Sequence, residues 1–460
     1  MPNILASLML AIWPLVGLFL FRRLGAAQAV LWTLLAGYLL LPPPPAAFDF
    51  PLLPPLSKDT IPSLVAFAGV VLTLRGRVQL LPQSWLARGL LLIFVLSPMA
   101  TFATNTDPVF FGSVGLPGMR FSEGIALIVQ QAMLVIPFLL ARALLGDNDG
   151  QRTILWAIFA GGLAYSLPML LEIRLSPQLN NWIYGYYQHY FAQSLRFGGF
   201  RPLVFLNHGL WAAFFAMTAF VAALALWRGT KRGASLGYLL AAGYLGVVLI
   251  LCKSLGAAIY GILFVPVLVL LNSKWHLHLA ALLAIATLAY PVLKAVDLVP
   301  DDQLVSRAAE FDQNRGASLQ FRFDNEDILF ERASKRPAFG WGTWGRNHIL
   351  DPQSGEITTV TDGRWIITLG VFGWLGFIAE FGLLSLPIFA MWLQARRRGA
   401  QISPFSGPLA LLLAVNMVDL IPNATLTPIT WLIAGALLGA AEMARTTYKP
   451  PQVDTIETIL

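Results

Sequence analysis

Cysteine occurs once, as Cys252 inside an apolar run, so the chain has neither a disulfide framework of its own nor a cysteine-based metal site. Charge is scarce too. Asp, Glu, Lys and Arg together make 12% of the 460 residues, against 57% hydrophobic. No dense Asp/His cluster with metal-ligand spacing is present, and no metal or other cofactor is expected. No internal repeat recurs at a fixed period, and no pair of interrupted helices marks the inverted halves of a transporter. No basic leader precedes the apolar run at 4–21, which reads as a retained first span rather than a cleavable signal. Outside one long loop, nothing reads as a soluble domain.

What is present is apolar length. Mean hydropathy is +0.67, and the chain holds 30 Phe and 14 Trp, a composition of polytopic membrane proteins. A span needs about 20 mostly apolar residues. Runs of that kind predict thirteen spans near 4–21, 25–41, 61–74, 89–104, 124–141, 153–171, 206–227, 235–252, 256–271, 277–296, 366–393, 406–421 and 427–444. The run 235–271 reads either as two short spans meeting at Lys253-Ser254 or as one bent element. The expected fold is therefore all-α, with about 12–13 transmembrane helices and a large outer loop late in the chain. Its segments are N-terminal helices (1–171), an aromatic and arginine-bearing loop (172–205), central helices (206–296), the large loop (297–364), C-terminal helices (365–444) and a tail (445–460).

Sixteen of the 31 Lys and Arg fall in alternate short connections or the tail: Arg22 and Arg23; Arg75, Arg77 and Arg88; Arg142 and Arg152; Arg228, Lys231 and Arg232; Lys274; Arg396, Arg397 and Arg398; Arg445 and Lys449. The positive-inside rule makes that side cytoplasmic, with the N-terminus outside and the C-terminus inside. Eight more lie in 297–364, on the other side. Cations concentrated on the wrong side point to an anionic ligand. A net charge of +7 distributed this way does not indicate a nucleic-acid partner.

Four groups of residues have chemical potential. Arg196 and Arg201 flank glycines and run into His208 at the head of a span; guanidinium and bare backbone can approach a phosphate closely there. A basic membrane-surface loop and an ordinary buried histidine are the plainer readings. Lys253 either snorkels outward or meets a lipid-linked phosphate. The long loop carries Arg322 and Glu331 on a helix expected over 318–335. It continues into Pro337-Ala-Phe-Gly-Trp-Gly-Thr-Trp-Gly345, a tight turn walled by Trp341 and Trp344. That turn is no phosphate-binding nucleotide loop, since it has no P-loop lysine and follows no strand. Asp362 and Arg364, at the re-entry into the membrane, place a base beside a phosphate clamp, or Asp362 simply caps the helix. Residues 181–191 hold four of 11 Tyr, including Tyr187; they read as an interfacial belt or as a stacking surface for sugar rings. The proline-rich 41–59 reads as a stiff extended connector. Glu380, inside a span, should face the bundle interior.

Three of these pieces, in this order, resemble a known family. Arg201-Pro-Leu-Val-Phe precedes Asn207-His208; Arg322 precedes Pro337-Ala-Phe-Gly340-Trp-Gly342; and Trp365, Leu369, Gly373 and Gly376 open a long span. Over roughly 195–380 the arrangement resembles the O-antigen ligase and O-antigen polymerase superfamily (Wzy-like and WaaL-like bacterial membrane proteins). One departure matters. Ligases begin the closing motif with a histidine and an asparagine where this chain has Asp362 and Gly363, so the resemblance is nearer to a polymerase.

The resemblance implies an inner-membrane glycosyltransferase that joins repeat units carried on undecaprenyl pyrophosphate, at the periplasmic face, for O-antigen, capsule or exopolysaccharide. It implies pyrophosphate contacts from Arg196, Arg201, Arg322, Arg364 and Lys253, with Asp362, Glu331 and His208 as candidate catalytic groups. Trp341, Trp344 and Tyr187 are the candidate sugar platforms. Implied partners are the lipid-linked saccharide, the bilayer, and a flippase and chain-length regulator of the same pathway. A ligase acting on a lipid or protein acceptor is the alternative, and a lipid-linked sugar flippase is the third reading.

Overall fold

The computed structural model describes residues 1–196, 198–230, 235–397 and 402–447. Its apolar helices follow the hydropathy runs. They are α1 (Ile4–Arg23), α2 (Ala26–Leu40), α3 (Ile61–Leu74), α4 (Trp85–Ala103), α5 (Phe121–Leu144) and α6 (Asn148–Leu175). After the short α7 (Leu179–Tyr184) come α8 (Gly209–Gly229), α9 (Ser235–Leu251), α10 (Leu255–Leu270) and α11 (Ser273–Ala295). The polar helices α12 (Asp301–Phe311) and α13 (Gln313–Ser334) precede α14 (Arg364–Ala395), α15 (Ser406–Asp419) and α16 (Pro428–Thr447). Two small hairpins, β1–β2 (Val109–Phe111, Val114–Leu116) and β3–β4 (Leu195–Arg196, Gly199–Phe200), complete the described elements. Seven described helices are long and apolar enough to cross a membrane, and five shorter ones are apolar. The chain is an all-α polytopic membrane protein.

The outward faces fit a bilayer. On α10, Leu255, Ile259, Ile262, Leu263 and Leu270 are all exposed; in water such a row would invite association, whereas hydrocarbon solvates it. Lipid is as apolar as leucine, so close packing rather than hydrophobic burial must hold the helices together. Gly435 and Gly439 do this for α16 against α5. A Cβ at those positions would lie 2.0 and 2.3 Å from the carbonyl oxygens of Phe138 and Arg142.

The connections sort to two ends. At one, Asn3 bonds Tyr184, Lys58 bonds Phe205, Asn105 bonds Gly340 and Arg201 bonds Lys253. At the other, Arg142 meets Glu442 and the Gln79 carbonyl, Asn148 meets Ser403 and Gln151 meets Ser406. Lys231, Arg232, Arg398 and Lys449 lie outside the described residues.

Residues 235–271 take the first of their two readings, two helices parted by Cys252–Ser254. Two expectations change. The proline-rich connector is not extended: Phe48 pairs with Leu56, and its apolar side chains pack with Leu10, Trp13, Tyr184 and Tyr186. Tyr184 and Tyr186 donate to the Leu40 and Pro43 carbonyls, which makes them part of this lobe. Nor is the span at 366–393 one rod. Gly373 breaks α14 with φ 67° and ψ −168°. Arg364 and Glu380, about 24 Å apart in an unbroken helix, bond at 2.7 and 2.5 Å. The two limbs therefore fold into a V, and the second, 374–395, is still long enough to cross.

The turn 337–342 fills the elbow of that V. Trp341 N and Gly342 N donate to the Gly370 and Val371 carbonyls, and Trp374 N donates to the Pro337 carbonyl. Gly340 and Gly373 both adopt positive φ, and a Cβ on either would come within 2.5 Å of the opposing backbone. Gly373→Ala should cost on the order of 1–3 kcal/mol for the backbone conformation alone. Thermal unfolding in detergent should show a lower midpoint than the wild type, with a smaller effect from Gly237→Ala, whose Cβ meets nothing.

Candidate functional site

The site begins with how Arg201 is held. The β3–β4 hairpin delivers it, and its N–H donates to the Ser194 carbonyl at 2.8 Å. Beyond Pro202 the chain is gripped by the buried carboxylate of Glu172. One oxygen accepts the Leu203 and Val204 N–H groups at 2.8 and 2.7 Å, and the other accepts Leu179 N–H at 3.0 Å. Three charge-assisted bonds of this kind make a rigid strap. The Arg201 stem crosses Gly209, where a Cβ would lie 2.2 Å from it. Its Nη2 donates to the Lys253 carbonyl at 3.2 Å. Its Nε is buried without an acceptor among the described residues. Burial, then the nearby Arg196 charge, pushes its pKa down to about 10, with Arg322 adding to the effect. The charge is disfavoured chiefly by burial and secondly by its cationic neighbours, and a bound anion would relieve both.

Arg322 comes from α13, 121 positions later in the chain. It lines the same cavity as Arg201, about 260 Å³ in volume, together with Ser254, Tyr260, Asp419 and Asn423. Asp419, buried at the end of α15, accepts from Asn423 at 3.0 Å and Thr425 at 2.6 Å. Asn416 bonds Thr425 and Thr430, extending the polar wall inward. Two guanidinium groups and a buried carboxylate thus share one cavity.

What aims Arg322 is the docking of α13. Glu326, one turn on, accepts from Tyr290 at 2.9 Å and from Trp365 at 3.4 Å. Asn325 takes the Val360 N–H, and Lys294 pairs with Asp327 at 2.7 Å and also with Asp301.

Other residues singled out in the sequence go elsewhere. Asp362 pairs with Arg322 at 3.3 Å, both half-exposed, at the rim. Arg364 does not join the arginine pair: Glu380, fully buried, binds it through two oxygens and neutralises it. Glu331 is exposed and pairs with Lys335 at 2.9 Å. His208 caps α8. Its Nδ1 accepts Leu210 N–H and its Nε2 faces Gln193, while burial, His189 and the arginines push its pKa down to about 3. A ring held neutral with both nitrogens engaged is a strut rather than a base. Arg196 is exposed on β3, and the Lys253 ammonium lies against Gly199. Trp341 is buried, donating to the Arg332 carbonyl with the Arg332 and Arg336 guanidiniums 3.5 and 4.5 Å from its ring centre; it presents no face to a sugar. Trp344 is 74% exposed, and Tyr187 is half-buried with its edge on Phe191.

Sequence reasoning missed Asp419, Glu172 and Tyr260. For the two acids the available signal was a carboxylate within or closing an apolar run, which is costly unless it has work or partners. No protein-family model matches the chain, and no curated protein matches it.

Burial raises the Glu326 carboxyl to about 7, against the opposing bonds from Tyr290 and Trp365 and the Lys294 charge. Between the ordinary carboxyl value of 4.5 and about 7 the native state binds more protons than the unfolded one. Stability of the docked α13 should therefore fall across that window, by at most about 3 kcal/mol, and level off above it. Hydrogen exchange of α13 amides against pH should show this slope, and Glu326→Gln should flatten it.

Proposed function

We propose that the protein is a membrane glycosyltransferase of the Wzy-like and WaaL-like kind. It polymerises saccharide repeat units carried on a polyprenyl diphosphate, with its arginine-bearing end facing the periplasm of a bacterial inner membrane. One observation carries the proposal: Arg201 and Arg322, from segments far apart in sequence, line one cavity with the buried Asp419. The positive-inside count supports this orientation. The chain's departure at Asp362 and Gly363 from the ligase His-Asn pair favours polymer formation over ligation.

In this reading the acceptor hydroxyl oxygen forms a bond to the anomeric carbon of the donor sugar. The bond from that carbon to the diphosphate oxygen breaks, and the diphosphate leaves with the electron pair. Its charge grows as the bond breaks, so guanidinium groups already fixed in place favour the transition state over the ground state. The unpaired Arg201 Nε and the forked Arg322 are the donors for it. The hydroxyl proton passes to a carboxylate, for which Asp419 lies on the cavity wall and Asp362 at the rim. Diphosphate and lipid tail are served together because the cavity lies between apolar helices.

Purified protein given lipid-linked repeat units should lengthen them. Arg201→Ala or Arg322→Ala should each slow this on the order of 100-fold or more, with unchanged protein level and melting. Asp419→Asn should lower the rate while leaving diphosphate binding in place. Full-length product from both arginine variants at normal abundance would remove the proposal.

A further inference from the structure

A second cavity opens at the same end of the bundle, and nothing described so far uses it. Its volume is about 290 Å³, at the small end for ligand sites of about 300 Å³ upward. Its wall comes from the 54–60 loop, α3, α5, the head of α8, Arg364 and the segment 424–431.

Two donors on this wall are orphaned. Ser63 Oγ and Trp431 Nε1 belong to side chains that are 1% exposed, and neither has a partner among the described residues. A buried polar group left unpaired costs on the order of 1–3 kcal/mol, so such groups generally answer to a ligand or to water. Gln130, Asp59 and Thr60 add further hydrogen-bonding groups, and Trp211 gives an aromatic wall. The cavity thus has the chemistry of a polyol site, with many donors and acceptors beside an aromatic face.

Charge separates it from the arginine cavity. Its one guanidinium, Arg364, is neutralised by Glu380, and Asp59 is flanked in sequence by the buried cation Lys58, whose Nζ donates to the Phe205 carbonyl at 2.6 Å. Its lining residues thus include no cation free of a carboxylate partner, which disfavours a diphosphate and suits an uncharged sugar.

The two cavities have no lining residue in common, but a narrow cleft borders both. Trp211 and Thr427 line both the neutral cavity and this cleft; Phe214 lines both the cleft and the arginine cavity. Asn416 and Thr425 line the cleft, and Thr425 bonds Asp419.

We infer that this second cavity binds the terminal sugar of the acceptor chain, an uncharged saccharide, with Ser63, Gln130, Asp59 and Trp431 as its hydrogen-bonding contacts. On its inner side the cavity abuts the cleft whose Thr425 bonds Asp419. The inference rests on the transferase reading for the word acceptor, and its test separates the two.

The probes are oligosaccharide released from the host's own polysaccharide by partial acid hydrolysis, and inorganic diphosphate. Binding of each to the full chain in nanodiscs is followed by tryptophan fluorescence and ligand-observed NMR. Gln130→Ala and Ser63→Val should each weaken the oligosaccharide at least 10-fold and leave diphosphate binding within twofold; Arg201→Ala should do the reverse. Equal melting temperatures certify the folds, and the milder Ser63→Ala serves where Val disturbs α3. No oligosaccharide binding to the wild type at millimolar concentration, or unchanged binding by all these variants, overturns the inference. If Arg201→Ala still abolishes diphosphate binding in that case, the transferase reading stands without it.

Discussion

The backbone bonds between the 337–342 turn and the break in α14 are the join on which the architecture depends. A helix interrupted at membrane depth leaves N–H and C=O groups with no water to take them. Here the turn supplies the missing partners at Gly370, Val371 and Trp374. Only glycine permits the approach, because the opposing backbones lie closer than a side chain allows at Gly340 and Gly373. With the elbow filled, the first limb of α14 can fold back and bring Arg364 to Glu380. The same limb brings Trp365 to Glu326, which seats α13 and turns Arg322 inward. Local backbone chemistry thus sets the position of a side chain far from the break.

The arginine cavity has two unlike walls. Arg201 is strapped by a buried carboxylate in the last turn of α6 and pinned over Gly209, so its position is fixed by groups shielded from solvent. Arg322 stands on a polar helix held by ion pairs and hydrogen bonds at the bundle's end, among them the half-exposed Asp327 pair. Screening and pH act on the second wall and hardly on the first. On the proposed reading, a site for a bulky lipid-linked substrate would gain from having one wall less firmly held.

How far the sequence could be read follows from how local each signal is. Spans were legible because hydrocarbon demands a long apolar run, and α1, α3 and α9 start within a residue of the runs that predict them. The V of α14 was not legible, since Gly373 announces a break only when its filling partner, the turn 31 to 36 positions earlier, is known. Arg201 and Arg322 stood out as cations on the side that should have few. Arg364 carried the same signal and differs only in having Glu380, 16 positions on, which a straight helix would keep out of reach. Trp341 and Trp344 are three apart and alike in sequence, yet one is buried under arginines and the other open. Asp419 was overlooked because it ends an apolar helix rather than lying in a loop with other charges.

The order of the chain gives the cavity a history. Arg201 and its Glu172 strap belong to the first half, whereas Arg322 and Asp419 come from the second. Some 218 residues separate Arg201 from Asp419, which is on the order of ten to forty seconds of synthesis. For that interval the guanidinium waits without a carboxylate opposite it. Insertion of α15 therefore closes the cavity late, so a chain stopped short of it would carry the cationic lip and none of the chemistry.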